Sequence, residues 1–188
     1  AKPQHHHDFA SLGLGSPLVA ACRQIGFKKP TPIQRQVIPA VLKGDHVLAL
    51  APTGSGKTAA FALPILHKLS LDPYGIYCII LSPTRELALQ IHEQILALGS
   101  STLKIKSTLV TGGMDQVRQS CQLHQIQPHF VVATPGRLGY LLRGTNPPIV
   151  RNVRFVVLDE ADRLLSPGGF ERDVAEVLLA TSRSKKCQ

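Results

Sequence analysis

Acidic residues are scarce in this sequence, with 12 Asp and Glu against 21 Lys and Arg and a formal net charge of +9 over 188 residues. A surplus of that sign suits an anionic partner, nucleic acid being the commonest, although many basic globular domains bind no polyanion. Long apolar runs are also missing. None approaches the roughly 18–20 residues that a membrane span needs, and the opening AKPQHHHDF has no signal-peptide apolar stretch. The four cysteines, Cys22, Cys78, Cys121 and Cys187, contain no C-x-x-C pair. That argues against a zinc ribbon or a disulfide framework and for a reducing compartment. His5, His6 and His7 have no Cys or other His at ligand spacing, so 1–8 reads as a solvated tail or the remnant of a tag. There is no low-complexity segment and no fixed-period repeat.

What is present is a recurring strand–loop–helix phrase. The apolar runs HVLALA (46–51), GIYCIIL (75–81), IKSTLV (105–110), HFVVA (129–133) and VRFVVL (153–158) are short and β-branched. Most lack strict alternation, as strands buried on both faces do. Helix-period segments lie between them at 57–70, 86–98, 115–125 and 136–143. Alternating β and α elements predict an α/β fold, with a mostly parallel sheet and helices on both faces. Helices are also expected at 16–25, 33–43 and 170–180, with a polar tail, TSRSKKCQ, at the end. The organisation is therefore a helical segment over 9–45 followed by an α/β core over 46–188. Hydrophobic content of 44% is enough for a sizeable core.

The strand ends carry the chemistry. They read APTGSGKT, LSPTREL, LVTGG, VATPGR and VLDEAD, each placing small, polar or charged residues after an apolar strand. Ligands of open α/β sheets bind at the carboxyl ends of the strands, so the five loops are expected along one rim. APTGSGKT, from Ala51 through Pro52, Thr53, Gly54, Ser55, Gly56 and Lys57 to Thr58, matches the phosphate-binding loop except that Ala51 replaces its first Gly. Gly54 and Gly56 let backbone N–H groups turn toward phosphate oxygens. Lys57 suits the β- and γ-phosphates, and the Thr58 hydroxyl suits Mg²⁺. A phosphate-loop enzyme also needs an acid at the end of another strand to position Mg²⁺, usually through water. Asp159 stands there, and Glu160 is placed to orient or deprotonate the attacking water. Acids favoured by a helix N-terminal dipole are the plainer explanation, and account for one of them more readily than for two.

With APTGSGKT and DEAD both present, the chain resembles the amino-terminal RecA-like domain of a DEAD-box RNA helicase. GFKKPTPIQ is similar to the family's adenine-reading Q motif, with Phe9 as its upstream aromatic. The resemblance implies that Gln34 hydrogen-bonds the adenine edge, since an amide donates and accepts at once. It implies too that Phe27 packs on the base. SPTREL, TGG and TPGR resemble the RNA-contacting motifs. On that basis Pro83, Thr84 and Arg85, Gly112 and Gly113, and Thr134, Pro135, Gly136 and Arg137 form a half-groove for RNA. It would bind phosphate and ribose without reading sequence. ATP and Mg²⁺ are the implied cofactors, with Lys57, Asp159 and Glu160 catalytic and Thr58 and Asp159 at the metal. Asp162 is implied to couple hydrolysis to domain movement.

The resemblance implies further parts outside these 188 residues: a Ser-Ala-Thr motif and a second RecA-like domain carrying an arginine finger. The expected activity is ATP-dependent RNA unwinding or remodelling of RNA–protein complexes, nearly absent from this first domain alone. A nucleotide-gated RNA-binding module without turnover is the alternative. A DNA translocase and a phosphate-loop kinase are more distant ones, disfavoured by PTPIQ and by Ala161. DPYGIYCIILSPTRELALQI and GGMD are similar to a nucleolar branch acting in small ribosomal subunit assembly. They imply an intracellular place, nuclear or nucleolar if the source is eukaryotic and cytoplasmic otherwise, with protein cofactors among the partners; the lack of a long apolar run leaves no membrane to expect.

Overall fold

Local chemistry sets the first helices. Thr31 and Gln34 form a reciprocal capping box: Gln34 N donates to Thr31 Oγ1 at 3.5 Å, and Thr31 N donates to Gln34 Oε1 at 3.0 Å. With Pro32 at the first helical position, where a missing N–H costs nothing, this starts α2 (Pro32–Lys43). Gly44, at φ 101°, ends it. α1 (Ser16–Gln24) precedes it and buries Leu18, Val19, Ala21 and Cys22. Burial pushes the Cys22 thiol up to about 11, so it stays a neutral, inert core group. α3 (Lys57–Leu71) is apolar around most of its circumference, as a deeply buried helix must be, and packs chiefly on α2.

The computed structural model describes residues 8–72, 75–99, 104–150 and 152–182. His5–His7, Cys187 and the tail from 183 onward lie outside the described residues. Thr181 and Ser182, read as the start of that tail, instead finish α8 (Glu171–Ser182). Two compact units divide the chain. The first takes the described residues up to Asp72 and those between Gln94 and Lys104; the second takes the rest.

The second unit holds a parallel sheet of β1 (Cys78–Leu81), β2 (Ser107–Val110), β3 (Phe130–Ala133) and β4 (Phe155–Leu158), in the order β2-β3-β1-β4. Cys78 stands level with Phe130 and Phe155, and Phe130 with Ser107, so all four strands end together at Leu81, Val110, Ala133 and Leu158. The chain goes from β1 to β2 in one direction, and from β2 to β3 to β4 in the other. Right-handed crossovers then put α4 (Arg85–Gly99) on one face and α5 (Gln116–Ile126) and α6 (Pro135–Arg143) on the opposite one. The packing agrees. Ile79, Leu81, Val131 and Ala133 cluster with Leu123 of α5, Leu138 and Leu141 of α6, and Val174 and Val177 of α8. Cys78, Ile80, Phe130 and Val132 point to the other face and are buried as well. Full burial of each large apolar side chain contributes about 1.5–3 kcal/mol. The central strands β1 and β3 are buried throughout, whereas the outer strands β2 and β4 are partly exposed.

One expected strand does not form. HVLALA (46–51) takes no ladder partner, and Leu48 and Leu50 are 84% and 87% exposed. Apolar character favours burial, but a strand exists only where a neighbour satisfies its N–H and C=O groups. The described residues supply no such neighbour for it. Four of the five anticipated loops therefore leave the sheet along one rim, and the phosphate loop follows an unpaired segment in the other unit. Two short elements were not anticipated: a 3-10 turn at Ala10–Leu12 and α7 (Ala161–Leu164).

Candidate nucleotide and nucleic-acid sites

In the phosphate loop, Gly54 and Gly56 adopt φ of 79° and 90°, the left-handed region that glycine enters without steric cost. Gly56 is the N-cap of α3 and supplies no side chain, so the first-turn N–H groups of α3 are not capped by the loop. A Cβ on Gly56 would also meet Gln34 Nε2 at 2.5 Å. Lys57 Nζ folds back to donate to the carbonyls of Ala51 at 2.6 Å and Pro52 at 3.4 Å. Ser55 Oγ is buried with no partner among the described residues. Pro52, Thr53 and Gly54 are exposed on the shoulder of the loop, and Thr58 is half-buried on the first turn of α3. Uncapped helix donors, a lysine cation and an orphaned hydroxyl fit a phosphate group well.

Gln34 is 3% exposed and holds the loop directly, its Nε2 donating to Gly56 O at 3.2 Å. Its amide thus serves the capping box and the phosphate loop together, and retains one N–H and one lone pair for a base edge. Phe27 is half-buried, and its ring stacks on that of Phe9 at 6.3 Å between centroids. Gln34 and the phosphate loop belong to the first unit; the rim loops and the carboxylates belong to the second.

Along the rim, Thr84 Oγ1 accepts from Leu87 N at 3.2 Å and so helps to cap α4. Arg85 lies across the glycine pair. A Cβ at Gly112 would stand 2.9 Å from its Nη2, and one at Gly113, whose φ is 82°, would strike Nη1. Small residues at these two positions are what let the guanidinium lie there. Arg137 Nη1 donates to Met114 O at 2.9 Å and to Gln119 Oε1 at 3.1 Å, while Gln119 Nε2 donates to Thr111 O at 3.1 Å. The fully buried Gln119 therefore ties the loop after β2 to the start of α6. Thr134 precedes α6 without a side-chain cap, and Pro135 occupies its first turn.

These three loops share one open cleft of about 600 Å³. Pro83, Thr84 and Arg85 line it from the first loop, Gly112 from the second, and Thr134, Gly136 and Arg137 from the third. Gly113 and Pro135 stand beside it rather than in its wall. The wall also includes Glu86, which SPTREL contains without a role having been assigned to it, and Gln116, Tyr140 and Phe170, which no motif marked. Of these three, Tyr140 alone left a trace in the sequence: it follows Arg137 by one helical turn, on the same face.

At the end of β4, Asp159 N extends the ladder by donating to Leu81 O at 2.9 Å. Glu160 adopts φ 50° and ψ 53°, a left-handed conformation costing a non-glycine residue about 1–2 kcal/mol. Its Oε2 accepts from Arg163 Nη1 at 2.8 Å, an exposed pair of small energetic consequence. Asp162 is exposed in the first turn of α7. Among the described residues no group of three or more His, Cys, Asp or Glu is gathered to hold a metal.

A parallel α/β sheet with a polar rim, in a chain that also carries a glycine-bent phosphate loop, is the mark of a phosphate-loop protein of the RecA-like kind. Residues 31–188 match the DEAD/DEAH box helicase family, and the chain belongs to that family. The human protein named probable ATP-dependent RNA helicase DDX49 is 55% identical over 174 residues, covering 92% of this chain and 36% of that protein. The Pyricularia oryzae protein named ATP-dependent rRNA helicase RRP3 is 52% identical over 157 residues, covering 84% of this chain and 29% of that one. The crystal structure of a DEAD box protein from Methanococcus jannaschii superposes with a TM-score of 0.83 at 40% identity. That match covers 96% of this chain and 48% of the other. The chain thus spans about a third of the length of the curated relatives it matches.

Proposed function

We propose that this chain is the nucleotide-binding first domain, with its core over 46–188 and the Q-motif segment over 9–45, of an ATP-dependent RNA helicase. The observation that carries the RNA half of this reading is the cleft in which Arg85, Gly112 and Arg137, from three separate loops, face one space. Glycine at the wall allows close approach of a sugar–phosphate backbone, and two guanidiniums supply phosphate contacts. Nothing in such a set reads a base edge, which suits a motor that must act on many sequences.

For the nucleotide, Lys57, the α3 N-terminus and Ser55 bind phosphate oxygens, and Gln34 and Phe27 hold adenine. Bound ATP with Mg²⁺ supplies the hydrolysable phosphoanhydride and the charge neutralisation for phosphoryl transfer. Thr58 and Asp159 are the residues that would hold the metal. Glu160 accepts the proton of the attacking water, and Asp162 couples this step to a second domain supplied by the rest of the protein. The name of the fungal relative, an rRNA helicase, supports ribosome assembly as the process and the nucleolus as the place, with protein cofactors among the partners. Retention of both Asp159 and Glu160 favours turnover over a gated binding module.

The test is ATPase activity of the full-length protein with RNA and with DNA. RNA should stimulate it and DNA should not. Lys57→Ala should weaken nucleotide binding about tenfold or more, and Glu160→Gln should bind ATP but lose hydrolysis by at least about 10²-fold. Normal hydrolysis by Glu160→Gln would falsify its role as base, and equal stimulation by DNA would sink the RNA assignment.

A further inference from the structure

Tyr140 is unexplained by a cleft that holds only phosphates and sugars. It stands on α6 one turn beyond Arg137, lines the same cleft, and is 51% exposed. Residues three apart on a helix lie about 5–6 Å from each other on one face, so the ring and the guanidinium address the same stretch of ligand. Phe170, the other aromatic of the wall, packs against the hydrophobic core and is committed there. Tyr140 packs on no other ring among the described residues and is half exposed. A half-exposed aromatic ring lining a cleft beside a cation is an arrangement that takes a nucleobase while the cation takes its phosphate.

We propose that Tyr140 is a stacking platform for one base of the single strand whose phosphates Arg85 and Arg137 hold. This rests on the reading of the cleft as an RNA groove, and adds a base contact to it. Stacking is indifferent to base identity because every base has a π-face, so the contact adds affinity and register without adding a sequence code. It also asks for an unpaired strand, since a base already stacked within a duplex offers no free face on that side. A single-stranded product is thereby favoured over a duplex at this rim.

The experiment measures binding of short polyadenylate RNA to the full-length protein with a non-hydrolysable ATP analogue, over a range of salt. Tyr140→Ala should raise Kd about five- to a hundredfold, and Tyr140→Phe should stay within about twofold of the parent. The salt dependence should not change in either, because no phosphate contact is lost. Arg137→Ala should reduce the slope of log K against log salt by about 0.7. An oligonucleotide series carrying one abasic position should include a register at which Tyr140→Ala costs nothing more. Parent-like binding by Tyr140→Ala, with Arg85→Ala and Arg137→Ala weakened, overturns the platform and leaves the groove standing. Parent-like binding by all three variants overturns the groove and the platform with it. Tyr140 is half exposed, so unchanged thermal melting of Tyr140→Ala is expected and separates binding from folding.

Discussion

Single side chains in this domain carry several duties at once. The Gln34 amide closes the capping box of α2 and grips the carbonyl of Gly56, so the helix start and the phosphate loop are held by one group. Arg137 similarly binds the carbonyl of Met114 and the amide of Gln119 while facing the cleft. Other groups have no evident duty. Ser82, at the end of β1, is fully buried, and its Oγ has no hydrogen-bond partner among the described residues. A buried, unpartnered hydroxyl forfeits its hydration without return. Ser82→Ala should therefore raise stability by about 1 kcal/mol in urea unfolding; a loss of that size would mean the hydroxyl has a partner in solution.

The elements explain where the sequence was legible. Seven helices were anticipated within a residue or two because their signals are local: Pro32 and Thr31 at one start, Gly56 at another, Asp115 capping α5 through Arg118 N at 2.7 Å. Strand positions were legible as apolar runs, but pairing was not, and HVLALA shows the difference. The neighbourhood of β2 also carries a pH lever. His92 Nδ1 meets Ser107 Oγ at 2.8 Å, and His129 Nδ1 accepts from Lys106 N at 3.1 Å. Burial lowers both imidazoles below 6.5, with Lys106 adding to the effect at His129 and Glu93 opposing it at His92. The unfolded chain then takes up protons first. Stability is fully present above about pH 6.5 and is lost as pH falls through the lowered folded values. Urea midpoints measured from about pH 7.5 down to 5.5 should decline, and the decline should flatten in the double variant His92→Gln/His129→Gln. An unchanged profile in that variant would refute the assignment.

For the whole molecule, length is the governing fact. The curated relatives are about three times as long as this chain, and the phosphoryl transfer proposed above would draw on an arginine of a second domain, whose loss costs on the order of 10³–10⁵ in rate. Residues 1–188 alone should therefore bind adenine nucleotide weakly and turn it over at least about 10³-fold more slowly than the full-length protein, with little response to RNA. Turnover near the full-length rate would show that these residues contain the whole catalytic apparatus.

The sequence by itself determined the chemistry available and the local geometry that presents it. A glycine at Gly54 or Gly56, a cap at Thr31 and a carboxylate after VRFVVL act within a few residues of themselves, so their meaning survives without any fold. Tertiary structure decided which of these groups meet. The closing of Gln34 onto Gly56, the draping of Arg85 across Gly112 and Gly113, and the arrival of the Arg137 and Tyr140 face of α6 in one cleft with Thr84 join residues from separate loops and helices. Such meetings depend on how strands pair and helices cross over them. That is a property of distant contacts, which no short stretch of sequence contains.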